Sequence, residues 1–413
     1  MTAQELGLQA TTTLMLCLVV GVLSVVVSDL VGRFLPVPAV VLEILGGILL
    51  GPAVLGLAHD NAVVSAFSQL GLAILMFLAG YEIQLARVAG DPLRSALRGW
   101  AGSLLVGLGA GTLIVGVARP EDDLTAGFVV GLLFTTTALS TILPILRDAG
   151  DAETRFGSFI LSAGAIGEFG PIVAIALLLS GDSPWHTVVV LVVFVLVAAV
   201  VLRLARRRHP ERLSVLLRRT LSSSGQLGVR TAMLLVLFMA WVADELGLDV
   251  LLGAFTAGLV VRYFLSGTDD ETREATVARV EGAGFGLLIP IFFVVSGIRF
   301  DLDALLSDTG AMLLVPLALV LFLVIRGVPT HLSLQGSLAG RDRLGAAVYA
   351  STALPLVVVI TGIGVDDGTL RPATAAAFVG AGMISVLVLP LAAMRIRGAR
   401  TDVGGDPDPS EAP

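Results

Sequence analysis

One carboxylate in this chain stands where a charge is expensive: Glu168, near the middle of the apolar run FGSFILSAGAIGEFGPIVAIALLLS (156–180). That run is long enough to cross a bilayer. An acid at membrane depth costs roughly 2.5–3.5 kcal/mol even on insertion scales, so it implies a cavity or a partner. Gly164, Gly167 and Gly170 recur every three residues beside it and would let another helix backbone come close. Pro171 follows, and is expected to loosen the helix just past the acid. A carboxylate crowded against a broken helix can hold a proton or a dehydrated monovalent cation, but not both. Competition for one site is the minimal chemistry of exchange.

Two hydroxyl-rich runs offer the rest of such a site. TTTALSTILP (135–144) and ASTALP (350–355) each end in proline inside an apolar segment, and the segments lie seven apart in the order of spans given below. An odd offset reverses direction in the membrane, as in inverted repeats, and paired interrupted spans are the sequence pointer to a transporter's binding site. Thr136, Thr137, Ser140, Ser351 and Thr352 are therefore expected to line the crossing of two broken helices. The plainer alternative has these hydroxyls bonding the carbonyl of the preceding turn; the matched positions favour the first. Arg326, in LFLVIRGVP, is the one arginine left within a span. It is expected to balance charge near the site, with snorkelling to the boundary as the alternative. Glu43, in PVPAVVLEILGGILLGP, is a possible secondary acid with a partner or water path, or a structural acid bonding backbone near Gly46 and Gly47. Glu82, with Arg87 close by, reads as an interface residue.

The elements that must position these residues are membrane helices. Of 413 residues, 56% are hydrophobic and 14% charged, against about 25% charged in soluble domains. A span needs about 20 apolar residues. That ruler gives thirteen segments, near 11–32, 36–57, 63–83, 95–117, 124–146, 156–180, 185–205, 228–246, 249–265, 283–298, 309–331, 342–364 and 372–394. All 26 basic residues are arginine, and with the N-terminus outside 22 of them fall in inside links. The positive-inside rule then predicts N-out and C-in, in the cell membrane. The first ten residues lack a basic n-region, so the first span is expected to stay in the mature protein. Residues 401–413 are acidic and rich in Pro and Gly and are expected to be disordered.

Several chemistries lack their residues. Cys17 is the single cysteine, and His59, His186, His209 and His331 are scattered without metal-ligand spacing. With no Ser-His-Asp, HExxH or two-acid protease arrangement, the chain is not expected to be an enzyme, to need a cofactor or to bind nucleic acid.

Together these segments resemble the monovalent cation:proton antiporter-2 family, which includes sodium/proton exchangers and Kef-type potassium systems. The second span carries a Pro, Glu-Ile, Gly-rich, Gly-Pro pattern, with Glu43 and Gly51-Pro52 at its key positions. LAILMFLAGYEIQL resembles the family's FLAG-x-E element, residues 252–258 its LGAF-x-AG run, and residues 290–297 its PxFF…G run. The resemblance covers nearly the whole chain. It implies an all-α homodimer with a scaffold domain (spans at 11–83 and 228–298), a moving core domain (95–180 and 309–394) and a linker span (185–205), all within residues 1–400. It also implies that Glu168 is the ion-binding acid. Relatives often precede that acid with Gln, Asn or Asp, whereas here Gly167 precedes it; exchange is accordingly expected to be electroneutral. No nucleotide-binding domain is expected after the last span, which argues against the Kef-type gated system. The expected function is exchange of Na⁺ and/or K⁺ for H⁺ at Glu168. The alternatives are a cation channel and a sodium-coupled organic-anion symporter of related fold.

Overall fold

The computed structural model describes residues 3–32, 37–82, 90–118, 124–178, 184–206, 220, 226–265 and 269–398, and every regular element among them is helical. The first helices are α1 (Ala3–Gly32), α2 (Ala39–Leu50), α3 (Ala62–Glu82) and α4 (Asp91–Ala118). The chain continues through α5 (Leu124–Leu133), α6 (Leu139–Asp148), α7 (Arg155–Leu178) and α8 (Pro184–Arg206). Next come α9 (Leu227–Glu245), α10 (Val250–Leu265) and α11 (Asp270–Ala283, passing through a π turn at Gly284–Leu288 into Ile289–Ile298). A short α12 (Leu302–Ser307) precedes α13 (Thr309–Leu321, with a π turn at Phe322–Gly327 and a last segment Val328–Ser333). The chain ends in α14 (Gly340–Ala350), α15 (Pro355–Asp366) and α16 (Pro372–Arg397).

Among the described residues, nine helices are long and apolar enough to cross a membrane. With the composition, that makes the chain an integral, multi-pass membrane protein. Of the remaining expected spans, 36–57 falls on the short α2, 124–146 on the interrupted α5 and α6, 249–265 on the short α10, and 185–205 on α8. Three local expectations need correction. The second span is helical only to Leu50, because the backbone becomes extended at Gly51 (φ −68°, ψ 176°). Pro144 lies inside α6 and not at the break, and Pro171 lies inside an uninterrupted α7. A membrane helix tolerates such prolines when neighbouring groups answer the freed carbonyl. The expected disordered tail, 401–413, and Arg87 lie outside the described residues.

Two sets of helices pack among themselves. In one, α3 lies along α10, α9 along α10, and α2 and α3 against Ile289–Ile298. In the other, α4 packs on α5 and α7, and α16 on α13 and α14. α7 touches both, through α4 on one side and α10 on the other. The α3–α10 contact depends on glycine. A Cβ at Gly258 would lie 2.7 Å from the Tyr81 backbone nitrogen, and one at Gly80 would lie 3.2 Å from the Phe255 Cα. Without a hydrophobic force between helices in lipid, such backbone approach is a main source of association. Because backbone cannot yield as a side chain can, Gly258→Leu is expected to cost about 1–3 kcal/mol or more. The expected readout is a lower thermal midpoint and loss of the monodisperse peak in detergent size-exclusion.

Candidate functional site

The site begins with two breaks. α5 ends at Leu133 and α6 begins at Leu139; α14 ends at Ala350 and α15 begins at Pro355, whose missing N–H suits a first helical turn. The unwound stretches meet each other. Ala138 N–H donates to the Thr352 carbonyl (2.7 Å), and the Thr137 hydroxyl donates to the Ala350 carbonyl (2.7 Å). Thr137 N–H donates to the Gly167 carbonyl at 3.1 Å, which ties the crossing to α7. On the far side the Ser385 hydroxyl of α16 accepts from Ala353 N–H (3.0 Å) and donates to the Ala353 carbonyl (2.8 Å). Backbone freed by the breaks is thus answered inside protein, as a low-dielectric setting requires.

Arg326 enters this crossing from the π turn of α13 and is 0% exposed. Its Nε donates to Thr137 Oγ1 at 2.9 Å and its Nη2 to the Ala163 carbonyl of α7 at 2.8 Å. The snorkelling alternative is therefore overturned: the guanidinium turns inward to oxygens at the crossing. Gly167 makes this possible, since a Cβ there would lie 2.6 Å from Thr137 Cβ and 2.9 Å from Arg326 Nη2. Position 167 carries no side chain because the arginine and Thr137 occupy that space.

Glu168, the next residue, is 1% exposed. The neighbours of its own helix define where it looks. Gly167 faces Thr137 and Arg326, Phe169 stacks on Phe255 of α10 at 5.0 Å, and Gly170 lies under the Trp100 ring of α4. Gly164, one turn earlier, abuts Leu139. The helical period therefore turns Glu168 between the crossing and α10, toward the first residues of α6. A helix start presents the positive end of its dipole to an anion.

The hydroxyls divide in two. Those of Thr135, Thr136 and Ser351 bond the carbonyls of Leu132, Leu133 and Ala347, the plain local role. Thr137 reaches across the crossing, and the Thr352 Oγ1, in a residue 0% exposed, is buried without a hydrogen-bond partner among the described residues. Ser140 lies in the first turn of α6, and its side chain lies outside the described residues. Glu43 sits elsewhere, on α2, where its Oε1 accepts from Ser24 of α1 at 3.4 Å; that contact is to α1, not to backbone near Gly46 and Gly47. Glu82 ends α3. Among the described residues no group of three or more His, Cys, Asp or Glu could hold a metal ion. Sequence reasoning missed Ser385, which stands as far into α16 as Glu168 does into α7. It also missed Trp100. A lone serine in an apolar span at the matched position was the available signal for the first.

Crossed, interrupted helices with a buried carboxylate and a buried arginine beside them define a class: polytopic membrane proteins of the secondary-transporter kind. The chain matches the "Sodium/hydrogen exchanger, transmembrane" family over residues 19–395 and belongs to that family of monovalent cation:proton antiporters. It is 25% identical over 398 residues to YjbQ of Bacillus subtilis (strain 168), covering 92% of this chain and 63% of that one, so it spans under two thirds of that relative's length. It is 24% identical over 366 residues to the Na⁺/H⁺-K⁺ antiporter GerN of Bacillus cereus, covering 86% and 88%. The solved structure of the sodium proton antiporter MjNhaP1 from Methanocaldococcus jannaschii at pH 8 has the same fold, with a TM-score of 0.66, 17% identity and coverage of 95% and 99%.

Replacing Thr137 by valine removes the acceptor of Arg326 Nε and the donor to Ala350 at once. Each buried group left unanswered costs about 1–3 kcal/mol. Thr137→Val is expected to unfold at clearly lower temperature in detergent, while Thr137→Ser, which keeps the hydroxyl, stays close to the wild type.

Proposed function

We propose that the protein is a secondary antiporter that exchanges a monovalent cation, Na⁺ and/or K⁺, for H⁺. The observation that carries this reading is the buried Glu168 beside two crossed helix breaks and a fully enclosed Arg326. Glu168 holds either the cation or the proton. Thr136, Thr137, Ser140, Ser351 and Thr352 line the crossing, and the Thr352 Oγ1, without a hydrogen-bond partner among the described residues, is the readiest added ligand for a dehydrated cation. Arg326 balances charge. A guanidinium stays protonated throughout, so the site has the same net charge whether Glu168 binds one proton or one cation. Exchange is therefore one for one and electroneutral, and needs no cofactor beyond the transported ions.

The same reading takes the breaks as halves of inverted repeats within thirteen crossings, N-out and C-in. The set containing α4–α7 and α13–α16 is the moving core, which slides in elevator fashion against a dimeric scaffold of α1–α3 and α9–α11; α8 links them. Phe169 against Phe255 lies at the boundary between the sets. The relative named as a Na⁺/H⁺-K⁺ antiporter supports including both cations as substrates.

The test is cation-dependent dissipation of a pH gradient in proteoliposomes, with Na⁺, K⁺ and Li⁺. Wild type is expected to dissipate the gradient without net current, and Glu168→Gln to lose exchange to background. Full exchange in Glu168→Gln would overturn the site; current without matched proton movement would mark a channel. Because proton and cation exclude each other, linkage makes the apparent cation KM rise by up to about tenfold per pH unit on the acid side of the site's pKa. A KM independent of pH would refute the competition.

A further inference from the structure

At one membrane face of the helices that build the site, a single side chain gathers three of their ends. Arg397, the last residue of α16, forms a two-oxygen ion pair with Asp151 in the α6–α7 connection. Its Nε donates to Asp342 Oδ1 in the first turn of α14 at 2.9 Å. Its guanidinium lies 3.5 Å over the ring of Phe156, in the first turn of α7. The arginine side chain is only 12% exposed and that of Asp151 8%. Gly345 keeps the path of the stem clear, since a Cβ there would lie 2.7 Å from Arg397 Cγ. Phe156 in turn meets the edge of Tyr349, at a centroid distance of 6.2 Å.

This arrangement differs from the ion pair that joins α13 to α16 at the start of α16. Arg371 and Asp308 are 3.8 Å apart, with side chains 59% and 35% exposed. Such exposed pairs contribute little. A planar guanidinium held by two carboxylates and stacked on an aromatic ring is far more restrictive, because the fork and the stack both fix its orientation.

What the cluster holds is specific. α14 runs from Asp342 to the Ala350 carbonyl, which Thr137 bonds, and the next residues present Thr352 to the crossing. α7 runs from Phe156 to Glu168, a rise of about 18 Å at 1.5 Å per residue. Fixing Asp342 against Phe156 therefore sets the register between the helix that carries the acid and the helix end that carries the oxygens. We propose that Arg397 is a positioning residue for the cation site: it touches no transported ion, but sets the spacing between Glu168 and the Ala350–Thr352 end of α14 that one cation must bridge. The inference rests on the reading of Glu168 as the cation site.

The test compares wild type, Arg397→Gln, Arg397→Lys and Asp342→Ala in proteoliposomes at matched amounts of folded protein. Cation-dependent pH-gradient dissipation is titrated with Na⁺ and with K⁺, and the thermal midpoint of each protein in detergent is measured in parallel. Loss of ligand spacing weakens binding more than turnover, so the cation KM is expected to rise about tenfold in Arg397→Gln and about two- to threefold in Asp342→Ala, with maximal rate per folded protein within about threefold. Arg397→Lys is expected to recover less than about half of the lost affinity, since an ammonium supplies neither fork nor planar stack. Unchanged KM in these variants, with only the thermal midpoint or yield reduced, would overturn the proposal and leave the cluster a role in stability alone. If Arg397→Gln does not fold, Asp342→Ala decides on the same criterion. Failure of the antiport reading itself shows separately, as absence of cation-dependent proton movement in the wild type, and removes this inference with it.

Discussion

A guanidinium enclosed by protein must have its N–H groups answered, and the centre of this molecule is arranged around that demand. Arg326 donates to a threonine hydroxyl on one broken helix and to a carbonyl on α7. The same threonine donates onward to the end of α14. One buried cation therefore binds α7 and both interrupted helices to α13. The π turn at Phe322–Gly327 is part of the same solution, since a widened turn redirects a side chain without ending the helix. Removing any partner would leave a buried charge or polar group unanswered, a larger penalty than the partner's own net contribution.

The breaks in α5–α6 and α14–α15 create a second demand of the same kind. Four or so backbone groups at each helix end lose their internal partners, and lipid offers none. The two unwound stretches answer one another through Ala138 and Thr352, and Ser385 closes Ala353. Among the described residues the Thr352 hydroxyl of the crossing has no hydrogen-bond partner, and Glu168 stands buried beside that crossing. On the proposed reading, such a site of one hydroxyl oxygen and one acid would take a small monovalent cation and not a large organic ion. The glycines of α7 serve this arrangement by admitting neighbours, Leu139 at Gly164, Thr137 and Arg326 at Gly167, and Trp100 at Gly170.

Much of this was legible along the chain, with instructive exceptions. The hydroxyl-rich runs marked both breaks, since hydroxyls and small residues in an apolar span signal freed backbone. The prolines misled. Pro144 sits within α6 and Pro171 within α7, because a membrane helix can continue past a proline whose freed carbonyl finds another donor. The better match between the two runs is Thr-Ala-Leu, residues 137–139 and 352–354, which align at the start of each second half-helix. The isolation of Arg326 in an apolar span pointed to charge balance near the site but left snorkelling open; its enclosure and its partners Thr137 and Ala163 came from the structure. Ser385 and the Arg397 cluster went unread: an isolated serine or a helix-end arginine looks the same in sequence whether it faces lipid headgroups or closes a network.

Composition, span length and the lone acid of α7 were determined by the sequence itself, because each follows from the one-dimensional demand that apolar residues cover a bilayer's thickness and that any charge within it have a reason. Partner choice was not. Thr136 and Thr137 are adjacent and chemically identical, yet one bonds its own preceding turn and the other joins α14 and Arg326. Only the crossing of segments more than two hundred residues apart in the chain decides which, since direction in space, and not residue type, sets which oxygen meets which donor.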